Sequence, residues 1–223
     1  MDTPFVEFDN VALRYGSGPE ILREVSFAVA PRSFHFLTGA SGSGKTSLLR
    51  LVLGALTPTG GAVRLFGQDS ASLVGTALTS VRRRMGVVFQ DFRLLDHLSA
   101  FDNVALPLRV RGREEASYRA EVVELLQWVG LGDRMDAAPP LLSGGEKQRA
   151  AIARALIAHP ELIIADEPTG NVDPPLARRL LHLFLELNRL GTAVILATHD
   201  TGLLEQLDAP RLILHDGRLF LDE

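Results

Sequence analysis

The sequence contains no cysteine. Disulfides, cysteine-ligated zinc and thiol catalysis are therefore excluded, and the composition fits a reducing compartment. No apolar run approaches the ~20 residues needed to cross a bilayer. Met1-Asp2-Thr3-Pro4 lacks the basic-then-apolar pattern of a signal peptide. Membrane association is thus expected only through a partner. Positive charge is not in excess either: 23 Lys and Arg face 27 Asp and Glu, for a formal net charge of −4. Proteins that coat nucleic acid are usually basic, so no nucleic-acid partner is expected. The local run Arg82-Arg83-Arg84 reads as a solvated helix face. Internal repeats, low-complexity tracts and long linkers are lacking as well. What is present is a chain of 223 residues, 46% hydrophobic and 22% charged, enough for one large domain with its own core.

Phe5–Tyr15 and Ile21–Val29 alternate apolar and polar residues, the pattern of half-buried antiparallel strands. Gly16-Ser17-Gly18-Pro19 between them is turn chemistry. The pattern then changes to short continuous apolar runs: Phe34–Leu37, Val87–Phe89, Leu162–Ala165 and Ala193–Ala197. Runs of this kind suit strands covered on both faces, as in a parallel sheet. Helical segments are expected at Thr46–Leu53, Glu146–Ala158 and Pro175–Leu190, and the alternation of strand and helix predicts an α/β fold. Asp216-Gly217 between two apolar triplets predicts a closing hairpin. From Asp91 to Leu142 no such strand run occurs. Val122, Leu125, Leu126 and Val129 recur at helical spacing there, so this stretch is expected to form an inserted helical lobe. The division expected is 1–90 and 143–223 as a core with an antiparallel β subdomain, and 91–142 as the insertion.

Gly39-Ala40-Ser41-Gly42-Ser43-Gly44-Lys45-Thr46 matches G-x-x-x-x-G-K-[ST]. Glycines let backbone N–H groups converge on phosphate oxygens. Lys45 supplies a point charge for the β- and γ-phosphates, and the Thr46 hydroxyl is a hard ligand for Mg²⁺. A buried strand before the loop and a helix after it set the helix N-terminus against the anion. ATP and Mg²⁺ are the expected ligands.

Leu162–Ala165 runs into Asp166-Glu167. Strand alternation would point these carboxylates to opposite sides, freeing Asp166 to hold the metal shell and Glu167 to orient or deprotonate water. Two further strands end in Phe89-Gln90 and Thr198-His199. In open parallel sheets ligands bind beyond the carboxyl ends of the strands, so the loop, Gln90, Asp166, Glu167 and His199 are expected to share one crevice. Taken alone, a His after a strand is more often a structural hydrogen-bonder; the convergence of five elements on that edge makes His199 a candidate sensor of the γ-phosphate.

Ser143-Gly144-Gly145-Glu146 opens another helix. Ser143 is a natural cap, and two glycines allow close backbone approach. A capped helix with a glycine-rich entry is the plain reading. The alternative is a second phosphate cradle, which makes sense where it closes over a nucleotide held by a second copy, two-fold symmetry giving two composite sites.

With Leu142–Arg149 the sequence resembles the ATP-binding cassette (ABC) ATPases, and the order of motifs agrees along essentially the whole chain. The resemblance implies that Tyr15 stacks on adenine, that Gly39–Thr46 is the phosphate loop with Ser47 beside it, and that Gln90 joins Thr46 at the metal. It implies that Ser143–Glu146 is the signature, that Asn171-Val172-Asp173 is the D-loop, and that His199 is the switch histidine. It further implies a head-to-tail homodimer formed on ATP binding. Phe89–Asp96 and Phe101–Leu108 are similar to the FtsE group of cell-division ATPases. That group implies an FtsX-like integral membrane subunit, the cytoplasmic face of the bacterial inner membrane at the division site, and cytoplasmic division proteins as further partners. Ala165–Asp173 is similar also to the LolD and MacB lipoprotein-release and export ATPases, which stay open as the alternative. Lys45-Thr46-Ser47 stands where Ser-Thr is usual after the lysine, and Val172 replaces a commoner leucine.

Overall fold

The computed structural model describes residues 3–170, 172, 174–204 and 207–222. The chain runs β1 (Val6–Arg14), β2 (Glu20–Val29), β3 (Phe34–Thr38), α1 (Lys45–Val52), β4 (Gly60–Leu65), β5 (Gln68–Asp69), α2 (Gly75–Arg82), β6 (Met85–Val88), α3 (Ala100–Val110), α4 (Glu115–Trp128), α5 (Gly144–Leu156), β7 (Leu162–Asp166), α6 (Pro174–Arg189), β8 (Ala193–Ala197), α7 (Thr201–Leu204), β9 (Arg211–His215) and β10 (Arg218–Asp222). Two sheets result: an antiparallel one in the order β2-β1-β4-β5, and a larger one in the order β10-β9-β3-β8-β7-β6. In the larger sheet β9, β3, β8, β7 and β6 are parallel, and β10 pairs antiparallel with β9 at the edge.

The apolar runs are continuous because both faces of this sheet are covered. Leu162 and Ile164 of β7 and Ala193, Ile195 and Ala197 of β8 join the core shared with the antiparallel sheet and α1. Their alternates Ile163, Ala165, Val194 and Leu196 join the opposite core. That second core is closed by α6, whose Ala177, Leu180, Leu181 and Phe184 are buried at helical spacing. A third cluster packs α3 and α4 together, with Phe101, Val104, Leu108, Tyr118, Val122 and Leu126, against Ala150 and Ala153 of α5 and Ile157 at its end. Helix α5 thus faces two cores, since Ile152, Ala155 and Leu156 belong to the second one.

The arginine run departs from its sequence reading. Only Arg82 lies in a helix, and all three side chains are engaged. Arg82 donates to the carbonyls of Leu53 and Gly54 at 2.9 and 3.1 Å. Arg83 donates to Val110 O at 3.0 Å. Arg84 grips Glu161 through two bonds of 2.6 and 2.7 Å and covers the Phe66 ring. Arg82 and Arg83 remain exposed to solvent, as expected, but each is also anchored to a distant carbonyl.

Candidate functional site

The pairing of β3, β8 and β7 continues past their ends. Thr198 N donates to Leu37 O at 3.1 Å, and Glu167 N donates to Ala197 O at 2.9 Å. The segments after these strands are thereby held side by side on one edge. Buried Phe36 and Leu37 lie towards the end of β3, whose final residue Thr38 leads directly into Gly39.

Gly39 sits at φ 148° with no room for a side chain, since a Cβ there would lie 2.3 Å from Leu214 O and 2.7 Å from Ser43 Oγ. Gly44, at φ 107°, caps α1 in the left-handed region and offers no side-chain cap. The first N–H groups of α1 are therefore left to whatever the loop encloses. Ser43 Oγ is buried and has no hydrogen-bond partner among the described residues. An orphaned donor inside a loop of this shape fits an anionic guest. Lys45 Nζ lies over the same loop, donating to Gly39 O at 2.7 Å and Ala40 O at 3.1 Å. Ala40 and Ser41 complete the turn. Tyr15, just past β1 and 43% exposed, reaches Ser47 Oγ through its hydroxyl at 3.1 Å, so its ring stands beside the start of α1.

Thr46, Gln90, Asp91 and Asp166 line one cleft of about 1000 Å³ between α1 and the end of β6. The Thr46 hydroxyl stands near enough to the Asp166 carboxylate to favour its charged form. Burial pushes the Asp166 carboxyl up from its ordinary value, and the charges of Glu167 and Asp91 push the same way, with Lys45 and Thr46 opposing. Neighbouring carboxylates beside a hydroxyl and an amide oxygen are hard donors that favour a hard cation. Among the described residues no group of three or more His, Cys, Asp and Glu forms a metal cage. Mg²⁺ does not ask for one, because it draws most ligands from phosphates and water. Asp91 was not singled out in the sequence; its position directly after Gln90 was the available signal.

Glu167 is not the next residue of a strand. It adopts the left-handed conformation, at φ 49°, so the turn rather than strand alternation separates it from Asp166. Its side chain is 10% exposed, and Oε1 lies 2.7 Å from Nδ1 of His199, whose ring is 75% exposed. A bulky non-glycine residue in this region is strained, and such strain gathers at functional positions. His199 thus holds Glu167 toward the open edge.

Ser143 and Glu146 form a complete capping box: Ser143 N donates to Glu146 Oε2 at 2.8 Å, and Glu146 N donates to Ser143 Oγ at 3.3 Å. Arg134, which sequence reasoning did not single out, adds a bond to Glu146 at 3.2 Å and one to Leu141 O at 3.1 Å. The backbone bond from Ser143 is the chief cause that holds the Glu146 carboxyl below its ordinary value, aided by the Ser143 hydroxyl and Arg134. Gly144 is exposed, with open space where a Cβ would sit, and Gly145 follows it in the first turn of α5. The hydrogen bonds of this box run among its own residues and Arg134, and among the described residues none reaches Gly39–Thr46. The structure thus brings the loop, Gln90, Asp166, Glu167 and His199 to one edge, with Tyr15 beside the start of α1, and among the described residues no hydrogen bond links Ser143–Glu146 to them. Of the D-loop expectation, Asn171 and Asp173 lie outside the described residues.

Comparison with known proteins agrees with this geometry. A family model described as ABC transporter matches residues 22–170. The chain is 41% identical over 214 residues to the cell division ATP-binding protein FtsE of Escherichia coli K12, covering 96% of each chain. It is 41% identical over 219 residues to FtsE of Mycobacterium tuberculosis, covering 98% of this chain and 95% of that one. A dimeric structure of the ATP-binding cassette MJ0796, in a post-hydrolysis state bound to ADP and Pi, superposes with a TM-score of 0.90 at 31% identity, covering 98% of both chains.

Proposed function

The chain belongs to the ABC transporter ATPase family, and from that premise we propose that it binds and hydrolyses ATP as the nucleotide-binding subunit of a membrane complex acting in bacterial cell division. The observation that carries the catalytic part is the pairing of Glu167 with His199 at the strand edge where the phosphate loop also opens. The division role is supported by FtsE relatives that match nearly the whole chain.

In this reading adenine stacks on Tyr15, and the backbone of Gly39–Gly44, with Lys45 and the Ser43 hydroxyl, holds the phosphates. Thr46 and Gln90 would hold Mg²⁺, with Asp166 in support and Ser47 beside it; the ion would neutralise charge on the β- and γ-phosphates. Glu167 takes the proton of the attacking water, and His199 fixes its carboxylate. The contribution is positioning and charge stabilisation rather than covalent chemistry. Ser143, Gly144 and Gly145 of a second copy face the γ-phosphate, with Glu146 locked into the cap. The head-to-tail homodimer is supported by the dimeric neighbour structure.

Residues 1–90 and 143–223 act as the catalytic core, and 91–142 as an inserted lobe that meets the membrane subunit. Among the described residues no helix is long and apolar enough to cross a membrane, so the partner, FtsX-like in this reading, supplies the membrane attachment at the cytoplasmic face. Phosphate release from MgATP by the purified protein together with its membrane partner tests the catalytic reading; absence of turnover overturns it. Co-purification of an FtsX-like protein tests the division role, and a lipoprotein-releasing or exporting transporter in its place moves the chain to the LolD and MacB group.

A further inference from the structure

The connector after Gln90 has little backbone structure of its own, yet its carbonyls are gripped by two side chains from elsewhere. Arg154, in the third turn of α5, donates to Phe92 O at 2.6 Å and to Arg93 O at 2.5 Å. Both residues sit in the left-handed region, at φ 58° and 49°, a run of two non-glycine residues that needs outside support. Arg93 also lies over the Phe89 ring and pairs with Asp91 at 3.1 Å, so residues on both sides of Gln90 move with it. Further along, fully buried Asn103 of α3 accepts from Leu95 N at 2.8 Å and donates to the carbonyls of Leu95, Leu98 and Ser99. Among the described residues Arg154 has no carboxylate partner. A half-buried guanidinium satisfied by backbone carbonyls is costly to desolvate and is retained for geometry rather than for charge pairing.

We propose that Arg154 is a positioning residue that fixes Gln90 for the metal-bound nucleotide by tying the connector to the helix that begins with Ser143. This rests on the ATP-binding reading above. One rigid helix carries the cap at its start and the grip about three turns later, so any displacement of the cap is transmitted to Gln90 without a separate hinge.

The test is equilibrium binding of a fluorescent ATP analogue, with and without Mg²⁺, to the full-length protein. The quantity read is the ratio of the two affinities. Arg154→Gln is expected to shrink that ratio by about tenfold or more, the usual scale for losing an outer-shell support of a metal site, while metal-free affinity stays at the wild-type value. Arg154→Lys, which keeps the charge but not the two-pronged grip, is expected to fall between the two and serves alone where the glutamine variant does not fold. In a Gln90→Ala background, replacing Arg154 is expected to change the ratio no further, because the two act through one path. Additive losses, an unchanged ratio, or an equal fall in metal-free affinity overturns the proposal. Failure of the wild-type protein to bind the analogue in either condition overturns the ATP reading instead.

Discussion

Nδ1 of His199 stands 2.7 Å from Oε1 of Glu167, joining the second residue after β8 to the residue after β7. The bond spans two neighbouring strand ends, and its carboxylate member is held in a strained turn. Glutamine retains an oxygen for the ring but cannot take a proton. Glu167→Gln should therefore keep ATP binding near wild type and lower turnover by about 10²–10⁴, the range for a general base. His199→Ala should lower turnover too, and the double variant should be no slower than Glu167→Gln alone. Single-turnover phosphate release, with nucleotide affinity measured in parallel, checks both; full turnover in Glu167→Gln would exclude it as the base.

Asp166 is destabilised as an anion by burial and by its acidic neighbours. An acid whose value is raised on folding favours the protonated folded state, so its penalty is full at neutral pH and fades as pH falls through the raised value. Asp166→Asn should remove that penalty while keeping a side chain of nearly the same shape. The expected result is a metal-free protein that melts about 2–4 °C higher, the shift that ~1 kcal/mol gives in a chain of this size. Mg²⁺-dependent turnover should be lost in the same variant. Calorimetry in EDTA reads the first effect and phosphate release the second.

Glu161 is held below its ordinary value of 4.5, chiefly by the hydrogen bond from Arg84, with burial opposing. An acid depressed on folding lends stability that is complete above its unfolded value and disappears as pH falls through the folded one. Glu161→Gln should consequently melt below wild type at neutral pH, and the gap should close between about pH 5 and pH 3. Thermal melts across that range decide it; a gap that persists in acid would assign the bond to packing instead.

The proposal that Ser143–Glu146 of one copy completes the phosphate loop of another can be tested by mixing. Lys45→Ala disables one half of a composite site. Gly144→Asp should disable the other without harming the monomer, since its Cβ meets open space and an acid in the first turn suits the helix dipole. Its charge would, however, repel a phosphate. Each variant alone should be inactive, whereas an equal mixture should recover about a quarter of wild-type turnover, because half the dimers carry one intact site of two. No recovery in the mixture would argue for a site complete within one chain.

Much of this was legible in residue order. The parallel strands announced themselves because Ile163 and Ile164, or Ile195 and Leu196, are buried on opposite faces and so leave no polar alternation. The phosphate loop was legible because glycine, lysine and hydroxyl are demanded at fixed spacing. Strand β4 and helix α2 were not, for physical reasons. β4 opens on Gly60-Gly61 with little strand preference, and α2 buries only Val81 fully, too narrow a stripe to register as a periodic pattern. The left-handed turn at Glu167 has no local cause; Ala197 and His199, which hold it, lie some thirty residues away. Arg154 looks like any helix arginine until the carbonyls of Phe92 and Arg93 are brought beneath it by the fold.

Arg82, Arg83 and Arg84 hold, in turn, the end of α1, the end of α3 and the residue ahead of β7. Three consecutive positions are thereby committed to three destinations, which leaves the chain no slack where it passes from α2 into β6. One added or deleted residue there would send every guanidinium to its neighbour's address at once.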